Sequence, residues 1–196
     1  DDHDRVAVEE VEIPDLKGIQ SFSVGAPPAL IVMLSMLGGF GEPPDFVASG
    51  VNLGPNTGRS TLFSGTIAAV KTAARFDRSG IAVSINYHPS VDTHEHWETA
   101  KEMTAQPIQW LTSALKSTML NLNIPNKPVK EVLGFRQADF AHIGRVQTVI
   151  ISKDSTGIDI ELEPCNDPVH EGTDSALLEK GYATATTFEP SKEADV

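Results

Sequence analysis

The sequence predicts an α/β protein, a three-layer core on a largely parallel sheet with a C-terminal antiparallel hairpin arm. Two observations carry this. From "PDFVASG" to "TMLNLNIPN", apolar β-branched runs alternate with helical runs in the order strand, helix, strand, helix, strand, which is the order of parallel βαβ units. Downstream, "GRVQTVIISKDSTGIDIELEP" gives two extended runs around Asp154-Ser155-Thr156-Gly157, a hairpin signal with a short loop.

Each element has its own warrant. "RVAVEEVEIP" places apolar residues at Val6, Val8, Val11 and Ile13, a half-exposed strand with a break near Glu9-Glu10, and "IQSFSVG" is a second short strand closed by Gly25. "PPALIVMLSML" reads as a buried helix, since proline is tolerated in a first turn and Gly38-Gly39 ends the run. "PDFVASG" is a short buried strand, "TIAAVKTAARF" a helix, and "SGIAVSINY" a strand. "THEHWETAKEMTAQPIQWLTSALKS" predicts a long helical stretch interrupted or restarted near Pro107, with Asp92 or Thr93 as its cap. "TMLNLNIPN" is a strand ended by Pro125, and "GTDSALLEKGYATATTF" a short helix ending at Gly181 and then a strand. The polar tail "EPSKEADV" is expected to fray. Residues 1–142 thus form the core, and 143–196 supply the arm plus a helix and strand that complete the same domain.

Composition narrows the function. The 196 residues are 40% apolar and 21% charged, an ordinary globular balance with enough chain for a real core. A formal charge of −12 disfavours polymeric nucleic acid and anionic lipid as partners. An anionic ligand would need local neutralisation, by a metal or by oriented N–H groups. One cysteine, Cys165, excludes an internal disulfide and a Cys-rich zinc site. No apolar run reaches the length of a membrane span, and "DDHDRVAVEE" has nothing of a signal peptide, so the expectation is a reducing, cytoplasmic setting.

The stretch "SGVNLGPNTGRSTLFSGT", Ser49 to Thr66, is the candidate site. It leaves the carboxyl end of a strand, where open α/β sheets bind ligands. Asn52 is close enough to the strand to point an amide oxygen at a hard divalent cation as one ligand among several. Asn56 has an amide N–H to offer a phosphoryl oxygen. Ser64-Gly65-Thr66 opens the helix: free N–H groups and the helix dipole favour an anion, Gly65 permits close approach, and Ser64 and Thr66 add hydroxyls. The loop has neither the lysine of a P-loop nor GxGxxG, and Gly/Asn/Ser-rich loops with a serine cap are common punctuation.

At these residues the sequence resembles the SurE-type survival-protein nucleotidases. "SGVNLGPNTG" is similar to their SG-[IV]-N-x-G-x-N-x-G loop and "SGTIAAV" to the helix start behind it, with further likeness in "GIAVSI", "LNLNIPN", "KEVLGFR" and "TDSALLEKGYATATTF". The resemblance implies a Rossmann-like α/β/α core and a metal-dependent phosphomonoesterase acting on nucleoside 5′- and 3′-monophosphates. It also implies manganese or magnesium as cofactor, and a homodimer or tetramer made through the arm. On its matching positions Asn52 would be a metal ligand, and Asn56, Ser64, Gly65 and Thr66 would face phosphate. That family opens with an apolar strand and N-D-D-G, whose aspartates bind the metal, and neither is found here. "DDHD" is not that motif, because no strand precedes it and Arg5 stands where glycine belongs. The strand–helix units before the family's third strand are therefore expected to be missing, through truncation or as a form without the carboxylates, which would leave half a metal site and little activity. The competing readings are a noncatalytic nucleotide- or phosphate-binding module and a structural oligomer built through the hairpin.

Other candidates are weaker. His94 and His96 are spaced i, i+2, which does not share a helix face, and HExxH is absent, so zinc chemistry is disfavoured. His88 is a crevice residue or a turn histidine; His142 and His170 show no ligand spacing. Trp97 and Trp110 read as core or interface fillers, and Arg59 as solvated.

Overall fold

A computed structural model describes residues 5–89, 92–142, 146–164 and 170–188. In chain order its elements are β1 (Val8–Glu10), β2 (Phe22–Val24), α1 (Pro28–Met36), β3 (Phe46–Leu53), α2 (Gly65–Arg75), β4 (Ser79–Asn86), α3 (Trp97–Ser113), β5 (Met119–Pro125), β6 (Phe135–Gln137), β7 (Val146–Lys153), β8 (Ile158–Pro164), α4 (Asp174–Glu179) and β9 (Ala183–Phe188). The central sheet runs β3-β4-β5-β9-β6. β3, β4 and β5 are parallel, β9 is antiparallel to β5, and β6 is parallel to β9. β1 pairs with β2 and β7 with β8 as separate antiparallel ribbons. The core is thus α/β and Rossmann-like, with helices on both faces of a mixed sheet.

Parity in the strands assigns the faces. Ile81, Val83 and Ile85 of β4 and Leu120, Leu122 and Ile124 of β5 pack with Ala100 and Leu111 of α3. The opposite parity, Ala82 and Met119, packs with Ile67, Val70 and Ala74 of α2. Fully burying a Val, Leu, Ile or Met side chain contributes roughly 1.5–3 kcal/mol, so these two clusters fix which way β4 and β5 face. Toward the carboxyl ends the α2 face turns polar: Ser84, Asn121, Asn123 and Thr184 follow the apolar residues and are equally buried.

Several expectations change. α1 is only half-covered: Met36 alone is buried, because the helix rests on α2 on one side, with Pro28 against Gly65, and no described element closes the other. β3 does not stop at Gly50 but continues to Leu53, with a register shift between Ser49 and Asn52. α3 is unbroken at Pro107, which is buried inside it. That helix begins at Trp97, not after Asp92 or Thr93; Asp92 instead accepts a hydrogen bond from the His88 N–H at 2.7 Å and closes a turn. β6, three residues long, has no periodicity to announce it and exists because β9 offers it a parallel edge. The tail 189–196, "DDHD" and Cys165 lie outside the described residues.

The arm is as expected. Asp154 builds its tip: one carboxylate oxygen accepts hydrogen bonds from the Thr156 hydroxyl and from the Thr156 and Gly157 N–H groups. These bonds, the hydroxyl first, hold its carboxyl below the usual range. Ile150 and Ile160 are cross-strand partners and Ile158 shares their strand parity; these three side chains and Ile151 are all mostly exposed.

Candidate phosphate-binding site

The site is built at the carboxyl ends of β3, β4 and β5, on the α2 face. Asn52 on β3 and Ser84 on β4 are register partners, so their side chains leave the same face beside one another. Asn52 is half-buried, and its amide nitrogen donates to the Gly54 carbonyl at 2.7 Å, which turns the amide oxygen away from that bond. Between these strand ends lies the Asn56 to Gly58 segment, held by an amide network. The Asn56 N–H donates to Asn123 Oδ1 at 2.8 Å. The Asn56 carbonyl accepts from Asn121 Nδ2 at 2.8 Å and from Asn123 Nδ2 at 3.0 Å, and Asn56 Nδ2 donates to Ser84 Oγ at 2.7 Å.

Asn56 is therefore buried and anchors the loop, with one of its amide N–H groups given to Ser84. Neutral amides suit this job. They satisfy a loop that crosses a closed sheet face without burying a charge. Gly58, at φ +52, takes a left-handed turn that favours glycine, and its N–H donates to Asp174 Oδ2 at 2.9 Å.

A 3-10 turn, Gly58–Phe63, then leads to α2. Ser64 caps that helix, its hydroxyl accepting from the Ile67 N–H at 3.2 Å. The N–H groups of Gly65 and Thr66 precede the first intrahelical bond and face outward with the positive end of the dipole. Gly65 is exposed and Thr66 half-buried, so both remain within reach of a ligand. The chain order β3–α2–β4 puts this helix start at the same sheet edge and on the same face as Asn52.

The described residues do not make a metal site by themselves. No three His, Cys, Asp or Glu side chains come together among them. A magnesium-type cation takes about six oxygen ligands, carboxylates among them, and Asn52 offers one neutral oxygen. His94 and His96 stack edge-on, 4.4 Å between ring centroids, and the Asn126 side-chain amide holds the loop that carries them, accepting from the His96 N–H and donating to the His94 carbonyl.

Ser84, Asn121, Asn123 and Asp174 escaped the sequence reading. "LNLN" looks like a strand with one wet face. The sequence does hold a signal: β5 lies inside the sheet between β4 and β9 with helices on both faces, so its asparagines are buried and had to pair with something.

These features define an open α/β protein whose carboxyl-edge loop presents amides, hydroxyls and a capped helix start. The model of the Survival protein SurE family matches residues 3–147, and the chain belongs to that family. Two 5′/3′-nucleotidases SurE, from Yersinia pseudotuberculosis serotype O:1b (strain IP 31758) and Yersinia pestis (strain Pestoides F), are each 31% identical over 151 residues, covering 74% of this chain. The chain spans 57% of the length of each. The crystal structure of the SurE protein from Aquifex aeolicus superposes with a TM-score of 0.73 at 23% identity, covering 98% of this chain and 76% of that one, and shares the fold. No described helix is long and apolar enough to cross a membrane.

Proposed function

We propose that this chain carries the phosphate-binding side of a phosphomonoesterase acting on nucleoside 5′- or 3′-monophosphates. The observation that carries the reading is the shared placement of Asn52 and the capped start of α2 on one face at the carboxyl edge of the sheet. The phosphoryl group would take the N–H groups of Gly65 and Thr66 and the hydroxyls of Ser64 and Thr66. Oriented amides and a helix dipole of about half a charge neutralise it, which a chain of charge −12 requires. Asn56 acts through the loop it anchors. Asn52 contributes one oxygen to a manganese or magnesium ion whose remaining ligands lie beyond the described residues, so these residues alone have little activity.

Phosphate release from a panel of nucleoside 5′- and 3′-monophosphates, with and without manganese, tests this. Turnover by this 196-residue chain alone would overturn the partial-site reading. No response of the Gly65 and Thr66 amide resonances to any monophosphate would overturn the site itself.

The exposed isoleucines of the arm support a second role. A two-stranded ribbon is marginal in water by itself, and an apolar face on it fits association with a second copy as a homodimer or tetramer.

A further inference from the structure

We propose that Asp174 is the positioning residue of the phosphate-binding loop, a buried carboxylate that ties Gly58 to the start of α4. Asp174 has no exposed surface. One oxygen, Oδ2, accepts the Gly58 N–H at 2.9 Å; the other, Oδ1, accepts the Ala141 N–H at 2.9 Å and the N–H of Ser175 at 2.7 Å. Three segments distant in sequence therefore meet on one side chain. Its backbone is fixed as well, since the Asp174 N–H donates to the Asp139 carbonyl at 2.8 Å.

A buried carboxylate is a costly way to join segments, and apolar packing of equal volume is often as stable. What it supplies is direction, because both oxygens accept from backbone N–H groups at fixed positions. Gly58 comes two residues after Asn56, which is locked onto β4 and β5, and opens the turn that leads to Ser64. The amide network fixes the loop at Asn56; the Asp174 bond fixes it two residues on, at the left-handed Gly58 itself. The Thr57 hydroxyl between them is buried and has no bonding partner among the described residues; Ser60 Oγ and Thr61 Oγ1 bond only locally, to the Thr57 and Gly58 carbonyls, so the Gly58–Asp174 bond is what ties that flank to a distant segment. Releasing it frees the 3-10 turn that aims the α2 N-terminus.

The inference rests on the phosphate-site reading, and nuclear magnetic resonance on the 196-residue chain separates the two. In the wild type, a scalar coupling across the hydrogen bond from the Gly58 amide to the Asp174 carboxylate is expected, and its absence overturns the tie. D174N puts an amide donor against one of the donors the carboxylate served. It is expected to speed Gly58 hydrogen exchange at least tenfold and to weaken adenosine 5′-monophosphate binding, with magnesium present, by a similar factor. T173A is the comparator: it removes the α4 cap, whose hydroxyl accepts from the Ala176 N–H, without touching Gly58. If T173A weakens binding as much as D174N, the effect is general loosening and the proposal falls. If D174N does not fold, the wild-type coupling and the T173A isotherm still decide: a missing coupling, or loss of binding in T173A, overturns it. A wild type that shows the coupling but no response to the nucleotide at millimolar concentration defeats the phosphate-site reading, and the binding role of Asp174 with it.

Discussion

Asn56 and Asn123 exchange two hydrogen bonds: the Asn56 N–H donates to Asn123 Oδ1, and Asn123 Nδ2 donates back to the Asn56 carbonyl. The side-chain amide of Asn123 thus imitates a neighbouring strand for one residue of loop. Asn123→Ala leaves the Asn56 N–H buried without a partner, while the carbonyl keeps Asn121. The expected loss is about 1–3 kcal/mol in urea unfolding. A change below a few tenths would show that the loop is held elsewhere.

Asn52 and Asn56 belong to one motif but should separate on substitution. Asn52→Ala removes one half-buried bond to Gly54, a cost of about 0.5–1.5 kcal/mol. Asn52 is one proposed metal ligand among several, so its loss is expected to weaken the effect of manganese on monophosphate binding. Asn56→Ala leaves Ser84 Oγ without that donor in a closed environment and should lower stability more. Paired melts and nucleotide titrations check the order.

Burial, outweighing the backbone N–H bonds of Gly58, Ala141 and Ser175, raises the Asp174 carboxyl above its ordinary 3.8. The native state then binds more protons than the unfolded chain between that ordinary value and the raised one. By linkage, Asp174 makes stability fall as pH rises through that window and level off above it. Asp174→Asn removes the contribution. The difference in unfolding free energy between wild type and D174N should therefore shrink with rising pH, then stay constant; a difference that grows with pH contradicts the shift.

Gly50 has φ +125, and a Cβ built there would strike the Val83 carbonyl oxygen and lie 3.2 Å from the Asn52 N. Gly50→Ala must move β3 away from β4 or distort Asn52. The loss should exceed 1 kcal/mol, about what a glycine-to-alanine change gives where the backbone cannot adapt, and monophosphate binding should fall with it. Equal stability and binding would mean the edge strand yields freely.

The double substitution Ile150→Thr and Ile160→Thr keeps β-branched side chains on the arm while removing the cross-strand isoleucine pair at the centre of its apolar face, with Ile158 left in place. If the arm joins copies, sizing chromatography should show a smaller species with an unchanged core melt. An unaltered elution volume excludes this face as the interface.

The sequence alone was enough for much of the architecture. Alternating β-branched and alanine-rich runs from Phe46 to Pro125 dictate parallel βαβ units, and Asp154 to Gly157 dictates the hairpin, because both are local patterns of side-chain period and turn chemistry. The capped start of α2 was equally readable, since Ser64 and the first-turn N–H groups are neighbours in the chain. Only the tertiary structure could decide that Asn121 and Asn123 face a loop rather than water. It also decided that Asn56 is an anchor and that Asp174, more than a hundred residues downstream, holds Gly58. Those outcomes depend on which surfaces close over a polar group, and burial is a property of the assembled layers, on which no single segment carries information.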